Sequence, residues 1–208
     1  MYIPEHFAAP SQDVIESLVK EHPLAQLVTV DADGQWVCNP IPLMMRGGLA
    51  AGSSLIGHVA RANPVWQHQG QALAIFTGPR AYVTPNAYPG KAEHHRVVPT
   101  YNYATVQVRG QLKAQDDAAI KLDVVRQLTD FAERNQSEPW SVTDAPEDFV
   151  QANLRAIVAI EIQIDSVAAK FKLSQNRNAQ DRAGVRSYLD RVDQDSDAAT
   201  MLKLMQKL

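Results

Sequence analysis

The chain has 208 residues at 23.0 kDa, which fits one large domain or one domain with a small appendage, and 45% hydrophobic with 21% charged residues supports a real core. A formal net charge of −3 argues against a surface that tracks nucleic acid throughout. The single cysteine, Cys38, excludes an internal disulfide and a cysteine-built zinc site. Without a run of about eighteen apolar residues, or a signal-peptide pattern at Met1-Tyr-Ile-Pro-Glu-His-Phe, a cytoplasmic setting is expected.

Val14, Ile15, Leu18 and Val19 predict an amphipathic helix over 11–21, with Ser11 as N-cap and Pro23 as stop. Leu24 to Val30, a turn at Asp33-Gly34, and Gln35 to Met45 read as a hairpin. Pro40 and Pro42, two apart, put the second strand at a sheet edge or mouth. Leu49 to Gly57 predicts a further strand, with a short helix at 64–68. Ala72–Thr77 and Ala81–Thr84 predict a strand pair broken at Gly78-Pro79. A loop over 85–99 precedes the alternating strand Tyr103 to Leu112. Ile120, Val124, Leu128 and Phe131 predict the longest helix, over 117–135. Ile160, Ile162 and Ile164 mark a last strand over 157–167. Residues 178–208 predict two short helices around Asp193-Gln-Asp-Ser-Asp, a solvated loop rather than a calcium site. Strands arrive in clusters without βαβ alternation, so the class is α+β, mainly antiparallel, a barrel with helical additions.

Charge is uneven. Between Gly57 and Lys113 six Lys and Arg face Glu93 alone, leaving fourteen cations against twenty-two acids elsewhere. Four of the six histidines, His58, His68, His94 and His95, lie there too. The basic centre reads as a pocket for an anion such as a phosphate, or equally as solvated or paired side chains. Leu55-Ile-Gly-His-Val-Ala-Arg-Ala-Asn-Pro sets a strand end and a helix start beside a guanidinium, a phosphate cradle or a capped surface helix. Adjacent His94 and His95 face opposite ways in a regular strand, so no metal is expected. Tyr101 and Tyr103 share a face, with core packing as default. Trp36, Trp66 and Trp140 read as core or interface anchors, and Cys38 as a small buried hydrophobe. Lys170-Phe-Lys-Leu-Ser-Gln-Asn-Arg offers Lys172, Ser174, Gln175, Asn176 and Arg177 as donors or as a solvated turn.

Five segments together resemble the PaiB family: Met1-Tyr-Ile-Pro-Glu-His-Phe, Leu55-Ile-Gly-His-Val-Ala-Arg-Ala-Asn-Pro, Ala81-Tyr-Val-Thr-Pro-Asn-Ala-Tyr, Val98-Pro-Thr-Tyr-Asn-Tyr and Lys172-Leu-Ser-Gln-Asn-Arg. Two positions depart from its pattern, Ala87 and Tyr101, where the family carries tryptophan; Tyr101 keeps an aromatic face. The resemblance implies an FMN-binding negative transcriptional regulator on a split β-barrel, homodimeric, with FMN at the subunit interface. It implies a barrel domain over 1–177 and a helical C-terminal extension over 178–208. By fold position, His58, Ala60, Arg61 and Asn63 would serve the phosphate and ribityl region. Tyr82, Thr84, Lys91, Thr100 and Asn102 would line the ring edge or pocket wall, and Gln175, Asn176 and Arg177 would reach across the dimer. A flavin-dependent oxidoreductase is the alternative, with haem or other ligand carriage on the same barrel ranked last because the histidines fall in polar loops. DNA binding gains little from 178–208, where five basic residues meet five aspartates.

Overall fold

A computed structural model describes residues 1–68, 70–191 and 196–206. Seven strands hydrogen-bond in one sheet of order β2-β1-β5-β6-β7-β4-β3. The chain divides into a first unit (1–18, 77–106 and 168–208) and a second unit (19–76 and 107–167). The three long strands, β5 (Gly70–Val83), β6 (Thr100–Gln115) and β7 (Ile157–Lys172), each contribute to both units.

In the second unit, β1 (Leu24–Val30) buries Ala25 and Leu27 and pairs antiparallel with β2 (Trp36–Pro42) from Leu24↔Pro42 to Val30↔Trp36. Asp31 builds the turn: its Oδ1 accepts from Asp33 N at 3.0 Å and Gln35 N at 2.8 Å, while Gly34 takes φ +77°. β2 is the sheet edge, where Pro40 and Pro42 cost no ladder bond. β3 (Met44–Arg46) and β7 flank β4 (Ser54–Ala60), both antiparallel. Gly57 is required in β4, since a Cβ there would stand 2.7 Å from the Pro42 carbonyl oxygen. α3 (Ala118–Glu133) starts on Asp117, whose Oδ1 accepts from Ala119 N at 2.9 Å and Ile120 N at 3.1 Å. Its Val124 and Leu128 pack on Ile56 of β4 and Ala159 of β7. α4 (Glu147–Arg155) follows, a helix too short for its apolar pattern to announce it.

Helix α1 (Gln12–Glu21) begins in the first unit, with the Ser11 Oγ accepting from Val14 N. The first unit also holds a 3-10 turn at Pro85–Ala87 capped by Thr84, the short α2 (Lys91–His94), α5 (Ala179–Arg191) and α6 (Ser196–Gln206). The acidic stretch expected between α5 and α6 falls largely outside the described residues.

Several elements differ from expectation for local reasons. The strand pair expected around Gly78-Pro79 is one strand, β5. Its registered pairing with β1 ends at Ile75, so β1 asks no hydrogen bond of Pro79. β7 runs five residues beyond Val167, through Lys172. Cys38 is exposed rather than buried, with Sγ 3.4 Å from Gln26 Oε1. Trp36 is 78% exposed and Tyr101 58%, so neither is core.

Candidate functional site

β6 opens with Thr100-Tyr-Asn-Tyr and then alternates, so that Asn102 points the same way as Ala104 and Val106, all three fully buried. A buried amide at a core register position needs partners, and Asn102 has only half of them. Ser174 Oγ donates to its Oδ1 at 3.1 Å, while Nδ2 is left without a partner. Ser174 itself sits in the left-handed region at φ 67°, turning the chain just after β7. Arg177 N closes that turn on the Ser174 carbonyl at 3.0 Å.

On the same turn Lys172 donates Nζ to Thr100 Oγ1 and to the Tyr101 carbonyl. Burial lowers its pKa, and the neighbouring charges of Lys170 and Arg177 lower it further. The Arg177 guanidinium lies 4.8 Å over the ring of Tyr88, a buried tyrosine whose hydroxyl has no geometrically sound hydrogen bond. Burial raises the Tyr88 pKa, while Arg177 pulls the other way. Among the described residues no carboxylate forms an ion pair with Lys170, Lys172 or Arg177. Tyr88, Val98, Thr100, Asn102, Lys172, Ser174, Asn176 and Arg177 wall a cavity of about 80 Å³.

Gln175, Tyr82, Thr84 and Lys91, also expected in the site, are not among the residues that wall this cavity. Gln175 staples the turn, accepting at Oε1 from Leu173 N at 2.6 Å and donating Nε2 to the Phe171 carbonyl. Tyr82 and Tyr101 pack edge to face with centroids 5.5 Å apart, both half exposed. Thr84 caps its 3-10 turn, and Lys91 Nζ donates to Asn86 Oδ1. His94 ends α2 and His95 follows it, both exposed.

In the second unit the expected phosphate residues are arranged differently. Arg61 is closed off. Its Nη1 and Nη2 grip Asp116 at 2.9 and 2.5 Å, and its Nε donates to the Arg155 carbonyl at 2.8 Å. The buried Lys121 adds a third bond to Asp116 at 2.9 Å, and these cations hold the Asp116 carboxyl well below the usual carboxylate range. Asn63 caps a 3-10 turn, accepting from Val65 N at 3.1 Å and donating to Asn39 Oδ1 at 3.0 Å. Ala60 ends β4, exposed.

His58 lies in β4, not in a polar loop. Burial lowers its pKa, its Nδ1 has no partner, and its ring lines two cavities of about 610 and 220 Å³. Leu43, Met44, Val125, Leu128 and Phe131 make the larger one mostly apolar, within the roughly 300–1,000 Å³ typical of small-molecule pockets. Sequence reasoning missed Tyr88, whose buried hydroxyl gives no pattern signal, and the Asp116 partner of Arg61. The doublet Asp116-Asp117 before a helix was a usable clue: one residue caps, leaving the other free to pair.

A family model described as "Putative FMN-binding domain" matches residues 1–166. A Bacillus subtilis protein named protease synthase and sporulation protein PAI 2 is 27% identical over 214 residues, covering 99% of this chain and 97% of the relative. Among solved structures, a conserved hypothetical protein of Mycobacterium tuberculosis aligns with TM-score 0.59 at 9% identity, over 86% of this chain and 94% of its own. A FAD and heme binding protein of Mycobacterium smegmatis aligns with TM-score 0.57 at 18% identity, over 79% of this chain and 72% of its own. At such identities the likeness is one of fold: an α+β split β-barrel with helical additions. No helix among the described residues is long and apolar enough to cross a membrane.

Proposed function

We propose, from the premise that this chain belongs to the FMN-binding domain family, that it binds FMN and that the first-unit cradle takes the phosphate. The observation that carries this reading is chemical incompleteness. Asn102 Nδ2 is buried without a partner, beside Lys172 and Arg177, with which no carboxylate among the described residues forms an ion pair. A dianionic phosphate supplies the acceptors and the charge that this set lacks. An 80 Å³ cavity suits one compact group rather than a tricyclic ring. Arg61, fully engaged by Asp116 and backbone carbonyls, is a fold-holding residue in this reading.

FMN, when bound, supplies one- and two-electron transfer. The chain's own residues bind and orient it: Lys172 and Arg177 provide charge, Thr100 a hydroxyl, and Asn102 an amide donor held in place by Ser174. Exposed Tyr82, Tyr101 and Val98 in the same unit favour a second copy of the chain as their cover, giving the homodimer. Comparing FMN with riboflavin, which lacks the phosphate, tests the assignment. FMN should bind far more tightly, and the gap should close in Lys172→Gln; equal affinities in the unaltered protein would sink it.

His58 favours a second reading, haem carriage. Its near-neutral ring in an apolar cavity reverses the reason for ranking haem last, and one structural neighbour is named for flavin and haem. A Soret band that appears with added haemin and is lost in His58→Ala would support it; an unchanged band would remove it. Regulation through DNA rests on kinship with the family alone. Retention of promoter DNA by the purified protein at low salt, declining as salt rises, would support it, and no retention would end it.

A further inference from the structure

Helix α5 carries Arg182 and Arg186, four residues apart and therefore on one face. With Leu173, Gln175, Met205 and Gln206 they wall a separate cavity of about 160 Å³ in the first unit. Arg182 Nε is buried there without a hydrogen-bond partner. Among the described residues neither guanidinium forms an ion pair. The nearest acid in sequence, Asp181, is engaged elsewhere, accepting from Gly90 N at 3.0 Å. An arginine cannot shed its charge to escape burial, so an unpartnered buried N–H is a standing cost.

We infer that this cavity is a binding site for a phosphate-type oxyanion, either free phosphate or a small phosphomonoester. Two adjacent guanidiniums present fork-shaped donors that match tetrahedral oxygens, and their combined charge balances a phosphate dianion rather than a single carboxylate. The volume compares with cavities that accept a benzene-sized molecule, so a flavin ring is too large while a phosphate with a small substituent is not. The site is distinct from the Lys172 cradle. Leu173 and Gln175 wall this cavity, whereas Lys172, Ser174, Asn176 and Arg177 wall the other, so the alternating residues of one turn serve two pockets. Every wall residue lies beyond residue 166, outside the part of the chain that the family model matches.

The test is calorimetric titration of inorganic phosphate at constant ionic strength, in the Lys172→Gln background so that the neighbouring cradle is disabled. One saturable site should remain. Adding Arg186→Gln should weaken it at least tenfold, and so should Arg182→Lys, which keeps the charge and loses the fork. Arg186 has no buried unpartnered nitrogen, so its variant tests the site even where substitution at Arg182 disturbs folding. Acetate should bind at least tenfold more weakly than phosphate. Phenyl phosphate binding as well as phosphate assigns a monoester pocket, and its exclusion assigns free phosphate. FMN affinity of the single variant Arg186→Gln should equal that of the unaltered protein, which separates this site from the flavin reading. No saturable phosphate heat in the Lys172→Gln protein, or equal affinity after Arg186→Gln, overturns the inference.

Discussion

Two cationic centres in this protein meet the same problem in opposite ways. In the second unit Arg61 has every arm occupied: two bonds to Asp116, two to the carbonyls of Arg155 and Ile157. In the first unit Lys170, Lys172 and Arg177 gather with no acid pairing them among the described residues. The first arrangement is finished by the chain itself, and the second is the one we propose the FMN phosphate completes. Counting charges cannot separate them. Arg61 belongs to the basic segment 57–113 yet is neutralised by Asp116 beyond it, while the open cluster lies wholly outside that segment.

The contrast breaks most sharply at Lys172. A charge-assisted hydrogen bond contributes about 1.5–3 kcal/mol, so Lys172→Gln should weaken FMN by roughly 10- to 100-fold. Flavin fluorescence titration reads this, while Asp116→Asn should leave the same titration unmoved. Gly184→Ala comes next. An added Cβ would collide with the Ala87 carbonyl and the Pro89 ring, beside Tyr88 of the cradle. Overpacking of this kind should cost about 1–3 kcal/mol in denaturant unfolding. Asp116→Asn should lower Tm by a few degrees, because the buried Lys121 loses its anion, with flavin affinity as the internal control.

The smallest effect concerns pH. Burial places the folded pKa of His58 below its ordinary value of 6.5, so the unfolded chain takes up a proton that the folded ring resists. Stability is therefore lost as pH falls through about 6.5 toward the lower folded value. Tm measured from pH 7.5 down to 5 should decline less steeply in His58→Phe. An identical slope would mean that the ring titrates freely.

Much of the fold was legible because backbone signals are local. The period-2 run into Leu112 marked β6, the Pro40/Pro42 spacing marked the edge, and Asp117 marked the start of α3. Asn102 was named only through the family resemblance; the strand read from Tyr103 begins at Thr100, which puts Asn102 in phase with Ala104, Val106 and Val108. What stayed hidden depends on partners distant in sequence. Nothing near Arg61 announces an aspartate fifty-five residues later, and nothing near Tyr88 announces Arg177. Cys38 is exposed because its side of the edge strand is uncovered, as Trp36 and Pro40 on the same side also are. The β5 break was misjudged because Gly78-Pro79 signals a turn unless the neighbouring strand has already ended.

The left-handed Ser174 gives the cradle its economy of parts. A residue with a side chain held at φ 67° is uncomfortable, and Asn102 is what its hydroxyl meets in return. Replacing Ser174 with glycine would ease the backbone while silencing that contact. The amide of Asn102 would then be free to rotate, exchanging donor for acceptor at the cavity wall. The turn thus acts as a lock on amide orientation, keeping the donor end of Asn102 toward the phosphate we propose for the cavity through a residue that need not touch it.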